Sequence, residues 1–128
     1  DGTYEKSQGQ RASSRVNGVI LEAALDNTHP LAYGIILPTV PMFKNRDMVL
    51  AEPRSRFGVP LRYTDQPLLS GYLQDRYLSN YSHTPAVLAT RNVVYFADDP
   101  AFRAYWHGST RLFLNSIFYR ELLPVGAL

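Results

Sequence analysis

The chain has no cysteine, only two lysines (Lys6 and Lys44) and a single tryptophan, Trp106. Without cysteine there are no disulfides, no thiolate zinc ligands and no cysteine nucleophile within these residues. That absence suits the cytosol and the periplasm equally. No apolar run approaches the ~20 residues that a bilayer-spanning helix needs, so no membrane span is expected. Asp1 to Arg15 is polar and does not read as a signal peptide. The sequence contains no GxSxG elbow, no GxGxxG turn, no P-loop and no HExxH pair. His29, His83 and His107 are the only histidines, and nothing in their spacing converges them with the three or four ligands a metal site requires. No cofactor is therefore expected within this chain.

With lysine so scarce, the basic charge is carried by arginine. The net charge is +2, and arginine suits fixed bidentate contacts with carboxylates or phosphates. The arginines are scattered from Arg11 to Arg120 and form no stripe. A nucleic-acid footprint clusters them on one face, so no nucleic-acid partner is expected. Hydrophobic residues at 45% and charged residues at 19% place the chain among globular rather than disordered sequences. A chain of 128 residues is one domain or part of one. It buries roughly two-thirds of its surface without needing a metal or disulfide staple.

Residues 1–17 form a polar lead-in, and residues 18–128 form the structured segment. Gly18 to Leu25 alternates and suits a strand covered on both faces, with a short helix as the alternative because Leu, Glu and Ala favour helix. Asp26-Asn27-Thr28-His29-Pro30 breaks regular structure and predicts a turn. Ile35 to Leu37 reads as a strand, with Pro38 and Pro41 pointing to a bend or a sheet edge. Pro41 to Leu50 fits a hairpin around Lys44-Asn45-Arg46-Asp47. Glu52 to Gln66 reads as a long ordered loop, and Leu68 to Tyr81 as a short helix interrupted near Gly71. Pro85 to Ala89 and Val93 to Ala97 pair as the last two strands through the tight link Thr90-Arg91-Asn92. The closing helix begins at Asp99 as N-cap with Pro100 at the first helical position. Phe102, Tyr105, Trp106, Ser109, Leu112, Phe113, Ser116 and Ile117 follow the spacing of one face, and its aromatic stripe Phe102, Tyr105, Trp106 and Phe113 reads as core. The fold class is α/β.

Several residue types invite a chemical reading. Asp98 and Asp99 could act as an acid–base or magnesium-binding pair, but helix capping explains them more simply. His29 could serve as a general base, yet no Ser or Asp partner can be named for a triad, and a turn role is favoured. Tyr63-Thr64-Asp65-Gln66-Pro67 reads as a loop ending in a helix cap, with a pocket lining as the alternative.

Three segments together are more specific. They are Leu25-Asp26-Asn27-Thr28-His29-Pro30-Leu31-Ala32-Tyr33-Gly34, then Tyr63-Thr64-Asp65-Gln66-Pro67-Leu68-Leu69-Ser70-Gly71-Tyr72, then Phe96-Ala97-Asp98-Asp99-Pro100 through Arg111-Leu112-Phe113-Leu114-Asn115. In order and spacing they resemble the C-terminal region of large bacterial zinc carboxypeptidases of the carboxypeptidase A-like superfamily. There a peptidase domain is followed by a domain similar to class I glutamine amidotransferases. The resemblance implies the later strands and closing helix of a flavodoxin-like three-layer sandwich, incomplete within this chain. It implies an accessory role, with zinc held in the upstream peptidase domain and no catalytic residue here. That peptidase domain, a peptide substrate and a second copy of the chain are the partners it suggests, together with a periplasmic or secreted location. His29, Tyr63, Asp65 and Arg103 are the candidate binding residues. The link Thr90-Arg91-Asn92 departs from the family, which usually carries a glycine there. Two other readings remain open. One is a free-standing small-ligand or sugar-binding α/β domain with an aromatic pocket near Tyr63 and Trp106. The other is an amidotransferase-like hydrolase that brings His29 or His83 to an upstream nucleophile.

Overall fold

The computed structural model describes residues 16, 18–104 and 106–125. The lead-in read over residues 1–17 lies outside them apart from Val16, which is buried and whose amide donates to Asp47 Oδ1 at 2.9 Å. Five strands form one sheet: β1 (Val19–Leu25), β2 (Thr39–Lys44), β3 (Leu61–Ser70), β4 (Pro85–Ala89) and β5 (Val94–Phe96). The order is β2-β1-β3-β4-β5, and every pairing is antiparallel. A four-residue helix, α1 (Asp75–Leu78), and a twelve-residue helix, α2 (His107–Phe118), accompany the sheet. The chain is thus α/β, but its sheet has no parallel pair among the described residues.

The alternation in β1 comes from one-sided burial. Val19, Leu21, Ala23 and Leu25 are buried, while Ala24 is exposed and Ile20 and Glu22 are only half-buried. The two-sided cover expected from sequence is therefore absent. In β2 the same period buries Val40, Met42 and Lys44. Pro41 is accommodated because β2 is an edge strand, where a missing N–H need not break a ladder.

The curl of the sheet is set by a contact between its two ends. Strands sit roughly 4.8 Å apart, so in a flat sheet β2 and β5 would be separated by about 19 Å. Yet Lys44 of β2 bonds Asp98, two residues past β5, at 3.1 Å. The sheet must roll up, and irregularities in the β1–β3 register at Ile20/Leu21 and Leu21/Ala23 supply the bend. Leu21, Met42, Leu61, Tyr63, Val87 and Leu112 fill the interior of the roll.

Several expectations are corrected. Ile35 to Leu37 is not a strand; Ile36 is 91% exposed and pairing starts at Thr39. No second hairpin arm forms at Met48 to Leu50, because Lys44 turns inward and its ammonium takes the Met48 carbonyl at 2.8 Å. Residues 61–70, read partly as loop and partly as helix, form the longest strand, with Pro67 tolerated at the β1–β3 irregularity. The helix over Leu68 to Tyr81 reduces to α1. The β4–β5 pairing is as expected, and Thr90 closes the link by bonding Val93 through both its backbone and its hydroxyl.

The closing helix starts later than the Asp99-Pro100 signal suggests. Asp99 does cap, accepting from the Ala101 amide at 2.9 Å, but it caps only an isolated turn at Phe102–Ala104. Arg103 has φ 52°, a left-handed conformation that breaks the helix before His107. The aromatic face consequently splits. Phe102 and Trp106 are half-buried and stack on Phe43, with centroids 4.2 and 6.0 Å away. Phe113 and Ile117, both expected on the inward face, remain 40% and 58% exposed, and Tyr105 lies outside the described residues. Gly108 has no packing reason: a Cβ there would meet nothing within 4 Å.

Leu112 is the one large apolar side chain that α2 buries completely. Leu112→Ala should cost about 2–5 kcal/mol in denaturant unfolding, whereas Phe113→Ala should cost less than half of that because the ring is only partly covered.

Candidate functional site

Three groups of polar side chains are organised by this fold, and they lie apart from one another. The first is the buried tie at the mouth of the roll. Lys44 and Asp98 have fully buried side chains and form an ion pair at 3.1 Å. The Tyr63 hydroxyl donates to the other Asp98 oxygen. Lys44 also donates to the Met48 carbonyl and sits 4.9 Å from the Tyr81 ring centroid and 5.6 Å from that of Tyr63. Its ammonium is thereby met by two oxygens and two aromatic faces. Burial pushes the Asp98 carboxyl up from its ordinary value, while Lys44 and Tyr63 pull it back; the net direction is upward. Burial, joined by the Asp98 charge, pushes the Tyr63 phenol far up, so it remains a donor at all ordinary pH. Tyr81 is pushed up as well, by burial and then by Asp47 and Asp98. A sealed, fully bonded cluster of this kind offers no open face to a substrate. Its chemistry is positional.

The second group is the turn predicted at residues 26–30. Asp26 Oδ1 accepts from both the amide and the hydroxyl of Thr28, which lowers its pKa. Asn27 Nδ2 donates to the Ile35 and Leu37 carbonyls. His29 is 8% exposed, and its Nδ1 accepts from the Leu31 amide at 3.2 Å, capping the turn Pro30–Ala32. That places the proton of the neutral ring on Nε2, which is buried and has no hydrogen-bond partner among the described residues. Burial pushes the His29 pKa down, against a smaller upward pull from Asp26. Asn115 of α2 holds the same turn from behind, donating to Leu31 O at 2.7 Å and Tyr33 O at 2.9 Å. Asn27, Thr28, His29, Pro30 and Tyr33 form one wall of a cleft of about 360 Å³, whose other wall is Tyr119 and Leu122. Tyr33 and Tyr119 meet there with centroids 5.0 Å apart. The aromatic pocket expected near Tyr63 and Trp106 is not what forms this cleft: neither residue lines it, and Tyr63 is buried in the tie.

The third group is on the surface between β3 and the turn before β4. His83 Nε2 lies 3.2 Å from Asp65 Oδ1, both exposed. Ser82 Oγ donates to the Asp65 carbonyl. His83 has φ 59°, a conformation uncommon for a residue with a side chain. Arg62 holds it there by donating to the His83 carbonyl while forking onto both Glu52 oxygens at 2.6 and 2.9 Å. That fork lowers the Glu52 pKa and raises that of Arg62.

The four candidate binding residues therefore do not converge. Tyr63 is in the buried tie, His29 in the cleft wall and Asp65 in the surface pair. Arg103 is exposed at the break before α2, with its guanidinium over its own neighbour Phe102. Of the two aspartates Asp99 is the one that caps, as expected, while Asp98 does not sit at a helix end but is an internal ion-pair partner. Sequence reasoning passed over Lys44, Arg62 and Asn115. The signal for Lys44 was present in the period Val40, Met42, Lys44, which puts an ammonium on a buried face and demands an acid. No family model, no curated protein and no solved structure matches the chain.

Removing one member of the tie strands the other in the interior. Lys44→Met or Asp98→Ala alone should therefore cost about 3–5 kcal/mol, and the double variant should lose much less than the sum in a denaturant double-mutant cycle. For His29 the folded pKa lies below the unfolded value near 6.5. As pH falls through that value the unfolded chain takes up a proton that the folded chain refuses, so stability falls. His29→Asn, which keeps a capping acceptor, should flatten the loss of stability between about pH 7 and pH 5 when unfolding is followed at each pH.

Proposed function

We propose that this chain is a non-catalytic accessory segment of a bacterial zinc carboxypeptidase, periplasmic or secreted, that stabilises or assembles the enzyme or holds its peptide substrate. The observation that carries this reading is how the three family-like segments meet. Tyr63 of the second segment bonds Asp98 of the third. Asn115 of the third bonds Leu31 and Tyr33 of the first. Leu25 of the first lies opposite Leu61, two residues before the second. The residues that carry the resemblance are joints of the fold, and His29 is a turn cap with a depressed pKa. Such roles support a scaffold rather than a reaction centre.

Among the described residues no three His, Cys, Asp or Glu side chains come together in a group that could hold a metal ion. Zinc in this reading belongs to the upstream peptidase domain. The flavodoxin-like sandwich belongs to the same proposal. Its parallel strands would come from outside residues 16–125 and join at the β2 or β5 edge of the antiparallel sheet.

The coding sequence upstream of Asp1 offers the quickest test, since a HxxE pair and a later His are expected there. The functional test compares carboxypeptidase turnover by the intact parent with that of a form ending before Asp1. Turnover retained on short peptides but lost on long ones identifies a substrate-holding module, and loss of both turnover and folding identifies a structural one. A parent without peptidase activity overturns the assignment.

A second reading, a small-ligand or sugar-binding domain, is favoured by the aromatic cleft at Tyr33 and Tyr119. It predicts calorimetric binding of monosaccharides or aromatic acids that Tyr119→Ala abolishes, and silence from both probe classes removes it.

A further inference from the structure

The polarity of α2 is inverted. The side that it turns to the sheet carries Ser109, Leu112 and Asn115, all buried. The opposite side carries Phe113, Leu114, Ile117 and Phe118, exposed by 40%, 45%, 58% and 75%. Residues at i, i+1, i+4 and i+5 share one side of an α-helix. Leu122, in the turn after the helix, is 66% exposed but belongs to the cleft wall beside Tyr119. Single exposed apolar side chains are ordinary, but a contiguous stripe marks an interaction surface. Tyr4 is the only large apolar side chain among residues 1–15, and Leu128 the only one among residues 126–128, too few to match the stripe.

We propose that a second copy of this chain covers the stripe, with α2 packed antiparallel on α2 about a two-fold axis. A two-fold contact is isologous, so the surface must complement itself. This one does. Exposed Arg111 flanks the stripe at its N-terminal end, with its guanidinium resting on Gly34, and Glu121, 79% exposed, follows the C-terminal end. Antiparallel pairing sets each Arg111 beside the other copy's Glu121, brings Phe113 against Phe118 and brings Leu114 against Ile117. Glu121 is held within its own chain only loosely, by Arg91 at 3.9 Å. Arg120 is drawn back from the rim, its Nε donating to the Arg91 carbonyl at 3.0 Å. Four partly exposed large side chains offer on the order of 400 Å² per copy. With the charged rim added, the contact falls at the small end of specific interfaces, ~1,200 Å² in total. The inference sharpens the assembly part of the proposed function. Its test reads mass alone and so fails or succeeds separately from the peptidase test.

Sedimentation equilibrium on the full 128-residue chain, over a range of roughly 1–100 µM, should give twice the chain mass of 14.5 kDa. Phe118→Glu and Leu114→Lys alter exposed positions, and circular dichroism checks that each variant keeps its fold. Each should weaken self-association on the order of tenfold or more. Glu121→Arg should also weaken it, and adding Arg111→Glu should restore it. A single-copy mass across the range overturns the proposal. So does a dimer indifferent to both apolar variants, or a mass that climbs past two copies. A paired charge exchange that restores nothing overturns the antiparallel arrangement.

Discussion

The contact among Lys44, Asp98 and Tyr63 decides the shape of the whole sheet. It joins the two edge strands of a five-stranded order, which an open sheet would hold far apart. Rolling the sheet gives every buried face of β1, β2 and β3 a common interior. A buried pair carries a desolvation penalty that only good geometry offsets. Here each charged atom is met: Lys44 by a carboxylate, a carbonyl and two rings, and Asp98 by an ammonium and a phenol. The same cluster of leucines and valines could be closed in several registers. An ion pair that must find one partner selects a single register, since any slip by one residue would turn Lys44 outward.

The legibility of the sequence followed the range of the interactions. The local ones were readable: the turn at residues 26–30, the paired strands β4 and β5, and the capping of Asp99 all depend on neighbours within a few residues. The α/β class was readable too. β3 was hidden because Pro60, Pro67 and the polar run Thr64-Asp65-Gln66 mimic a loop, while what holds them is non-local pairing to β1. The role of Asp98 was hidden by the stronger local signal of Asp99-Pro100 beside it. A bond across 54 residues leaves no trace in spacing. The start of α2 was misplaced because Arg103 adopts a left-handed conformation that nothing in Ala101-Phe102-Arg103 announces. Of the candidate site, only His29 was placed where a cleft exists, and it was found as a turn former.

The polar side chains of the described region are engaged largely in holding backbone. Asp26, Asn27, His29, Thr90 and Asn115 each bond main-chain groups in a loop or turn. The outward side of α2, by contrast, is apolar where a free surface would be charged. This division puts rigidity in the loops and adhesion on the helix. It is a distribution suited to a part that must present a fixed shape to a neighbour, and it draws the accessory reading and the two-fold contact together.

The tie also has a place in time. Its two charged residues are 54 positions apart and meet only when the intervening strands have already paired. Closing so long a loop early would cost entropy before any contact repaid it. The ion pair is therefore expected to form late, once the strands between its partners have paired. Interactions absent from the transition state act mainly on the rate of opening. Lys44 and Asp98 work as a latch: they have little say in how fast the chain folds and much in how long it stays folded.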